Sequence, residues 1–488
     1  MNSSQHNFTP LPDAFSRRIR EQFPDSHPDF IAALDRPPLT SIRLNPHKWS
    51  RIQGSQDLPG DPVPWSINGR FLQERPSFTL DPLFHAGSYY VQEASSMFLE
   101  YVLSRLANPK QAESPAPAES PPGIILDACA APGGKSTLLA AFFPESLVVA
   151  NEVIRSRVSP LMENSIKWGT GNLVVTQNDP SHFSALPGFF DLILTDAPCS
   201  GEGLFRKDPS ARLEWSADNA THCSLRQRSI LTGLWPALKP GGYLIYTTCT
   251  FNPEENERNV AWLLGETGGE CVRIDMPDDS SYHQNSIHEV ADGSVTGYGF
   301  YPHRTPGEGF FLSVIRKNTN DHVPGGKTAR SHSRRAAGRA SHIQSPDPAA
   351  ASNAGKWFNG SGFNWYQIRE RLFRIKSSHL HTLEHLSGVL TIRYAGTEVG
   401  RVIRDEVLPA PAAALDIHLD SAVFPMIDCS LEDALGYLRR ENLAVPPDAK
   451  QGWHLVRYQG LALGWTKNIG KRMNNYYPSG WRIRKAPQ

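Results

Sequence analysis

Two cysteines, Cys199 and Cys249, each follow an apolar, β-rich run of the sequence. Cys199 lies in TDAPCSGEGLFRKDP after the run FDLIL, and Cys249 lies in YTTCT after GGYLI. The carboxyl edge of an open α/β sheet is where ligands bind, so we expect both thiols to face one cleft beside Asp196. A single free cysteine is commonly an inert core residue. Two of them at neighbouring strand ends, next to a carboxylate, favour nucleophilic chemistry by a thiolate.

A glycine-rich turn, DACAAPGGKS, stands where the first βα loop of such a sheet belongs. Its backbone N–H groups and the start of the next helix would meet a ligand. The turn differs from the phosphate-binding pattern GxxxxGK[ST], because Cys129 replaces the first glycine. A nucleotide hydrolase and a turn without any ligand therefore remain as alternatives.

Acidic residues recur at successive strand ends. Glu152 ends the run SLVVANE, 25 residues after Asp127, and Asp179 ends the third run. An acid at the end of the second strand suits ribose hydroxyls rather than a triphosphate, and Asp179 would lie beside an adenine. One acid at a strand end is more often a helix cap, so the series carries the inference. It indicates a nucleoside ligand without a polyphosphate.

The motifs DACAAPGGKS, DAPCSGEG and YTTCT, in this order, resemble those of the Nol/Nop/Sun family of RNA cytosine-C5 methyltransferases. The resemblance extends upstream to SIRLNPHK and GSYYVQEASSM and downstream to RTPGEGFF, so it spans roughly Ser41 to Lys317. The C-terminal part resembles that of the ribosomal RNA small-subunit methyltransferase F subgroup.

The resemblance implies S-adenosyl-L-methionine as cofactor, 5-methylcytosine in RNA as product, and no metal. Cys249 would be the attacking thiol, Cys199 would assist breakdown of the covalent adduct, and Asp196 would contact the exocyclic amine and ring nitrogen 3 of the base. Lys135 could point at the cofactor carboxylate or into the cleft. The implied cofactor contacts are Cys129, Ala130, Ala131, Pro132, Gly133, Gly134, Lys135, Glu152, Asp179 and Asp196.

Short apolar runs alternate with helix-like segments in the middle of the chain, which predicts a Rossmann-like, doubly wound α/β sheet. We expect an N-terminal α/β, RNA-binding extension (1–118), a methyltransferase domain (119–317), a flexible basic linker (318–356) and a C-terminal region (357–488). That last region would end in a PUA-like, β-rich RNA-binding module. Since the linker has almost no core-forming residues, we expect the C-terminal region to be removable without loss of the catalytic fold.

The charge distribution predicts RNA as partner, although 49 basic and 49 acidic residues balance over the chain. Five basic residues and no acid lie between 327 and 339, and seven lie between 451 and 488 among interleaved aromatics. Basic groups track phosphates and aromatic faces stack bases; a small β-barrel core with a basic rim is the alternative. Arg206 and Lys207 would meet RNA phosphate or be solvated. The GEGFF stretch is expected to be structural.

The amino-acid composition further limits the class of protein to which this chain can belong. Six dispersed cysteines indicate neither a disulfide framework nor a zinc site built on CxxC pairs. No apolar run is long enough to span a membrane, and the N-terminus does not resemble a signal peptide, so we expect a cytoplasmic monomer. Its partner would be ribosomal RNA or the small ribosomal subunit. Transfer RNA is the alternative substrate, and an RNA-binding ribosome-assembly factor is the alternative function.

Overall fold

The computed structural model describes residues 9–53, 58–107, 121–276, 286–319, 343–404 and 406–485, and the structural statements below concern these residues. The basic run 327–339 and most of the segment 107–122 lie outside them. The helices are α1 (Asp13–Gln22), α2 (His27–Leu34), α3 (Pro46–Trp49), α4 (Pro82–His85), α5 (Phe98–Ala107), α6 (Gly134–Phe142), α7 (Arg155–Trp168), α8 (Ala211–Glu214), α9 (Ala217–Leu234), α10 (Glu257–Thr267), α11 (Pro348–Gly355), α12 (Ser377–Val389), α13 (Pro411–Leu415) and α14 (Leu431–Leu438).

The strands form four sheets. They are β1 (Thr40–Leu44), β2 (Asp61–Pro62), β3 (Gly69–Leu72), β4 (Tyr89–Val91), β5 (Ile124–Asp127), β6 (Leu147–Asn151), β7 (Leu173–Thr176), β8 (Phe190–Asp196), β9 (Leu238–Thr248), β10 (Glu270–Cys271), β11 (His288–Asp292), β12 (Val295–Phe300), β13 (Phe310–Arg316), β14 (Phe363–Ile368), β15 (Arg371–Lys376), β16 (Ile392–Ala395), β17 (Thr397–Ile403), β18 (Glu406–Pro409), β19 (Met426–Asp428), β20 (Gly452–Tyr458), β21 (Leu461–Asn468) and β22 (Met473–Asn475).

The largest sheet has ten strands in the order β11-β12-β13-β9-β8-β5-β6-β7-β16, with β10 paired to β13. The strands from β5 to β9 are mutually parallel. The chain order reverses between β5 and β8, and such a switch point opens a crevice at the carboxyl edge of the sheet. This arrangement confirms the predicted Rossmann-like α/β fold.

Alternate residues of the parallel strands face two separate cores. Ile125 and Val148 lie in the core that includes the apolar residues of α6 and α7. Leu126 and Val149, their chain neighbours, lie in a core with residues of α9 and α10. Because the strands are covered on both faces, their sequence is a continuous apolar run rather than an alternating one.

The N-terminal extension forms a four-stranded antiparallel sheet, β2-β3-β1-β4. From β1, the buried Arg43 side chain reaches the glycine-rich turn. Its Nη2 donates to Gly134 O (3.0 Å) and Thr137 Oγ1 (2.7 Å), its Nε donates to Gln92 Oε1 (2.8 Å), and its guanidinium lies 4.4 Å from the Trp168 ring centre. The extension therefore supports the first turn of α6 directly.

Two further residues of the SIRLNPHK stretch bind the end of α7. Asn45 Nδ2 donates to Trp168 O at 3.0 Å, and Lys48 Nζ donates to Lys167 O at 2.5 Å. Burial lowers the pKa of Lys48 to about 7. These contacts give the stretch a structural role that its sequence did not reveal.

Helices α1 and α2 cover the loops that follow β8 and β9. Phe15 contacts the Phe205 ring at 4.9 Å and Phe30 contacts the Phe251 ring at 5.1 Å, centre to centre. Arg18 Nη2 forms an ion pair with the buried Glu202 Oε2 at 2.6 Å. The extension is thus attached to both edges of the cleft, and its RNA binding stays a prediction.

The C-terminal region is joined to the catalytic sheet, which argues against the expectation that it is removable without loss of the catalytic fold. Strand β16 pairs antiparallel with β7, and Leu383 and Leu386 of α12 belong to the same core cluster as buried residues of the catalytic sheet. Without β16, β7 would be an edge strand with unpaired backbone groups. The linker lacks a core, but the chain after it returns to the sheet.

The linker predicted over residues 318–356 extends too far toward the C-terminus. Residues 348–355 form α11, whose Ala350 and Ala354 are fully buried. Asp347 caps this helix by accepting from Ala350 N at 2.8 Å, and Pro348 occupies its first position. An alanine-rich segment between a capping residue and a glycine folds as a helix once it has a surface to cover.

The sheet β19-β20-β21-β22 forms the end of the chain and confirms the predicted β-rich C-terminal module. Its aromatics differ in burial, and the stacking of RNA bases on the exposed ones stays a prediction. Trp465 and Tyr477 are buried in the core, whereas Tyr476 is exposed and Trp453 is half-buried beside it, 4.5 Å between ring centres.

A chain ending at residue 356 should be less stable in its catalytic sheet. Gln177 N donates to Thr391 O at 2.9 Å in the intact chain, and the truncation removes that acceptor. We expect a lower melting temperature and faster amide exchange at Gln177, measured by circular dichroism and hydrogen–deuterium exchange. The amide of Val148, which donates to Asn172 O inside the sheet, is the internal control. Equal melting temperatures and equal exchange at Gln177 would contradict the role of β16.

Candidate active site

The two predicted cysteines meet at the carboxyl edge of the sheet. Strands β8 and β9 are parallel neighbours, and Asp196 is in register with Thr247. The chain continues for a few residues beyond each strand, and Cys199 Sγ then lies 3.0 Å from Cys249 Sγ. Both side chains are half-buried. A pair of thiols in direct contact is therefore available at the mouth of the crevice.

The loop after Cys199 crosses the backbone of Cys249. Gly203 N donates to Cys249 O at 2.8 Å, and a Cβ at position 203 would lie 2.6 Å from the same oxygen. A side chain would also approach Gly309 O to 2.8 Å. Only glycine permits this approach, which explains the GEG sequence and fixes one cysteine loop against the other.

Asp196 and Lys135 form an ion pair beside the thiols. Asp196 Oδ2 accepts from Lys135 Nζ at 2.7 Å, and Oδ1 accepts from the Thr247 hydroxyl at 2.9 Å. Burial opposes the charged form of Lys135, but the Asp196 carboxylate outweighs it and the pKa of Lys135 is raised. The lysine is thus a cation that points to Asp196, and its role toward the cofactor carboxylate or the cleft stays a prediction.

Cys199 is held in its protonated form. The hydrogen bond with Cys249 and, next, burial raise the pKa of Cys199 well above its usual range. Cys199 is consequently a neutral thiol at physiological pH. Its sulfur is within hydrogen-bond distance of the Cys249 sulfur, and either sulfur can be the donor.

The glycine-rich turn is held in place by α7. Arg157 Nη2 donates to Ala131 O at 2.6 Å and Asn164 Nδ2 donates to Pro132 O at 2.8 Å. Gly133 has φ +113°, which favours glycine, and α6 begins at the next residue. The turn is therefore held by contacts within the protein itself. Cys129 and Ala130 lie in it as predicted, at the end of β5.

Glu152 and Asp179 differ from each other in burial. Glu152 is buried after β6, where its Oε1 accepts from Ile154 N at 2.8 Å and its Oε2 lies 3.4 Å from Arg157 Nη1. Asp179 is exposed and caps the following turn through Ser181, and these bonds lower the pKa of Asp179. Asp179 therefore makes the cap that the sequence offered as the alternative, and its contact with a cofactor stays a prediction.

The residues at this edge fit S-adenosyl-L-methionine. A carboxylate has about four acceptor positions, and the two contacts of Glu152 leave others for ribose hydroxyls. Val153 and Ile154, the next residues, are exposed apolar side chains at 42% and 43%, which suits the face of an adenine. Sequence reasoning missed these two, although an apolar pair directly after the strand-end acid was visible.

Arg206 and the GEGFF stretch are structural. The buried Arg206 Nε donates to Glu308 at 3.0 Å, and its guanidinium also binds Gly307 O. An arginine held in this way is not available to RNA phosphate. Lys207, the next residue, is exposed. The structural role expected for residues 307–311 is supported by these contacts.

The described residues contain neither a candidate membrane-spanning helix nor a candidate metal site. None of the helices in the described part is long and apolar enough to cross a membrane. Among the same residues, no group of three or more His, Cys, Asp or Glu side chains could hold a metal ion.

Comparison with protein-family models matches the chain in three places. Residues 115–316 match 16S rRNA methyltransferase RsmB/F, residues 11–94 match the N-terminal domain of 16S rRNA methyltransferase RsmF, and residues 424–483 match the methyltransferase RsmF PUA domain. The PUA match confirms the identity of the C-terminal module. The methyltransferase match confirms S-adenosyl-L-methionine as the predicted cofactor.

Known proteins agree with these models. A solved methyltransferase homolog protein from Pyrococcus horikoshii is 26% identical, with a TM-score of 0.50, over 63% of this chain and 95% of that one. Ribosomal RNA small subunit methyltransferase F of Pectobacterium atrosepticum is 38% identical over 64% of either chain. The protein of the same name from Citrobacter koseri is 32% identical over 96% of either chain. With this similarity along nearly its whole length, the chain belongs to the ribosomal RNA small subunit methyltransferase F family.

Proposed function

We propose that the chain methylates carbon 5 of a cytosine in small-subunit ribosomal RNA. The observation that carries this proposal is the contact of Cys199 with Cys249, 3.0 Å between sulfurs, beside the Asp196–Lys135 ion pair. A ribosome-assembly factor that only bound RNA would not need two thiols in direct contact at a cofactor edge. The family name favours ribosomal RNA over transfer RNA as substrate, and a ribosomal substrate is the reason to propose a cytoplasmic location.

The cofactor would be held by the turn Cys129–Lys135 and by Glu152, with Asp179 and Asp196 as further contacts. When bound, S-adenosyl-L-methionine supplies an electrophilic methyl group. Ordered backbone at the start of α6 and the spare acceptors of Glu152 are what this chain offers to it. No triphosphate site is proposed, because the first glycine of the phosphate-binding pattern is Cys129.

Cys249 would act as the nucleophile. Its thiolate adds to carbon 6 of the cytosine, and the ring becomes enamine-like so that carbon 5 can accept a methyl group. Asp196 would meet the exocyclic amine and ring nitrogen 3, and the Lys135 cation fixes that carboxylate in place. The base must leave its stack to reach these groups.

Cys199 would act in the breakdown of the adduct. Its raised pKa depends first on its hydrogen bond with Cys249, and that cause is altered once Cys249 is a thioether. Loss of that cause favours ionisation of Cys199: its proton would pass to solvent, and the resulting thiolate would take the proton from carbon 5. Loss of this proton expels the Cys249 sulfur and restores the aromatic ring, so each thiol has a separate task.

The thiol assignment predicts different products from two substitutions. Cys249→Ala should be inactive and form no adduct, because it lacks the nucleophile. Cys199→Ala should still add to the base and should stall as a covalent protein–RNA complex on denaturing gels. Cys429→Ala, in the C-terminal module, is the control and should keep activity. An adduct trapped by Cys249→Ala and absent in Cys199→Ala would reverse the two roles.

The cofactor assignment predicts weaker binding for Glu152→Gln. The amide has a single acceptor oxygen, so a ribose hydroxyl loses its partner, at a cost of about 1–3 kcal/mol. Isothermal titration calorimetry with S-adenosyl-L-methionine measures this difference. Glu145→Gln is the control and should bind the cofactor as the wild type does. Glu145 precedes β6, the strand that Glu152 follows, and its side chain is mostly exposed. Equal affinity in Glu152→Gln, or binding of ATP by the wild type, would remove Glu152 or the cofactor from the proposal.

A further inference from the structure

A buried carboxylate lies behind the two cysteine loops. Glu255 is fully buried, and it follows YTTCT within the stretch FNPEENE. Its Oε2 accepts from Ser200 N at 2.9 Å and from Gln227 Nε2 at 3.0 Å, and its Oε1 accepts from the Ser200 hydroxyl at 2.5 Å. Ser200 is the residue directly after Cys199, so the carboxylate holds the first cysteine loop by both backbone and side chain.

The same network reaches the second cysteine loop. The Ser200 hydroxyl lies 3.1 Å from the hydroxyl of Thr250, the residue after Cys249. Gln227 Nε2 also donates to Pro198 O, on the other side of Cys199, at 3.0 Å. Glu255 is thus connected directly to Ser200, through Ser200 to Thr250, and through Gln227 to Pro198.

The Tyr246 hydroxyl anchors this network to the sheet. It donates to Glu255 O at 2.6 Å and lies 3.0 Å from Gln227 Oε1. Tyr246 belongs to β9, which also leads into Cys249. The backbone of Glu255 is therefore fixed to the strand, and its side chain transmits that position to the loop after β8.

Burial of a glutamate carboxylate at this position costs free energy. The three described donors to its carboxylate are a backbone amide, a hydroxyl and a side-chain amide, and none is a cation. Burial accordingly raises the pKa of Glu255 to about 7, against the effect of the Ser200 bonds. An acceptor-only group takes all three donors at once, whereas a glutamine offers one oxygen. The network therefore needs a carboxylate, although an apolar side chain would be cheaper to bury.

We propose that Glu255 is a positioning residue that holds the Cys199 loop against the Cys249 loop and so keeps the two sulfurs in contact. This role rests on the proposed function for its catalytic meaning, since the adduct can be resolved only if Cys199 stays beside Cys249. The described hydrogen bonds of the Glu255 carboxylate are with Ser200 and Gln227.

The test measures the contact of the thiols separately from catalysis. The oxidant diamide accepts two hydrogens and joins neighbouring thiols as a disulfide, and peptide mass spectrometry quantifies the Cys199–Cys249 link. Its rate is divided by the rate at which iodoacetamide alkylates Cys249, which corrects for thiolate content. In the full-length protein, Glu255→Ala should lower this ratio about 10- to 100-fold, because displacing reacting atoms by about 1 Å can have that effect.

Glu255→Gln keeps the shape and one acceptor, so its ratio should fall less. Glu257→Gln is the matched control: its carboxyl is also buried and two residues along the same stretch, but its charged neighbours are Asp292 and Arg18. That ratio should equal the wild type. Methylation by Glu255→Gln should show a lower kcat with an unchanged KM for S-adenosyl-L-methionine. Circular dichroism shows which variants are folded. If Glu255→Ala does not fold, the ratio measured for Glu255→Gln tests the positioning role.

An unchanged ratio in a folded Glu255 variant would overturn the proposal. An equal fall in Glu257→Gln would also overturn it, because the effect would then belong to the stability of the whole segment. If the ratios behave as expected while the wild-type protein methylates no RNA, the proposed function fails and the positioning role of Glu255 stands.

Discussion

The pairing of β8 with β9 is the constraint on which the site depends. Parallel strands in fixed register deliver their following loops to the same point, and here Asp196 is opposite Thr247. The Asp196 carboxylate, the Thr247 hydroxyl and the two sulfurs follow from that register. A slip by one residue would turn every side chain to the other face of the sheet and would separate the thiols.

Three sets of contacts attach the N-terminal extension, α1 and β16 to the catalytic sheet and its loops. Arg43 carries the N-terminal extension to the first turn of α6, and Arg18 joins α1 to Glu202 in the loop after Cys199. Strand β16 closes the far edge at β7. The cleft therefore lies among segments distant in sequence, and predicted RNA-binding regions at both ends of the chain are built into the same folded body as the catalytic edge.

Strand-end residues were predictable because their position needs only local patterns and the rule that parallel strands share an edge. Cys199, Cys249 and Glu152 were found in this way. Glu255 was not, since an acid in a polar run such as NPEENE is usually solvated, and its burial depends on Ser200 and Gln227. The place of β16 was hidden for a similar reason, because edge pairing joins segments more than two hundred residues apart.

We propose that this chain places one methyl group on carbon 5 of a cytosine in small-subunit ribosomal RNA. Bisulfite sequencing of total RNA from cells with and without the gene tests it directly, because 5-methylcytosine resists the conversion that unmodified cytosine undergoes. We expect a resistant cytosine in small-subunit ribosomal RNA that becomes convertible when the gene is deleted. Its resistance should return when the wild-type gene is restored. Unchanged ribosomal RNA, or a loss confined to transfer RNA, would contradict it.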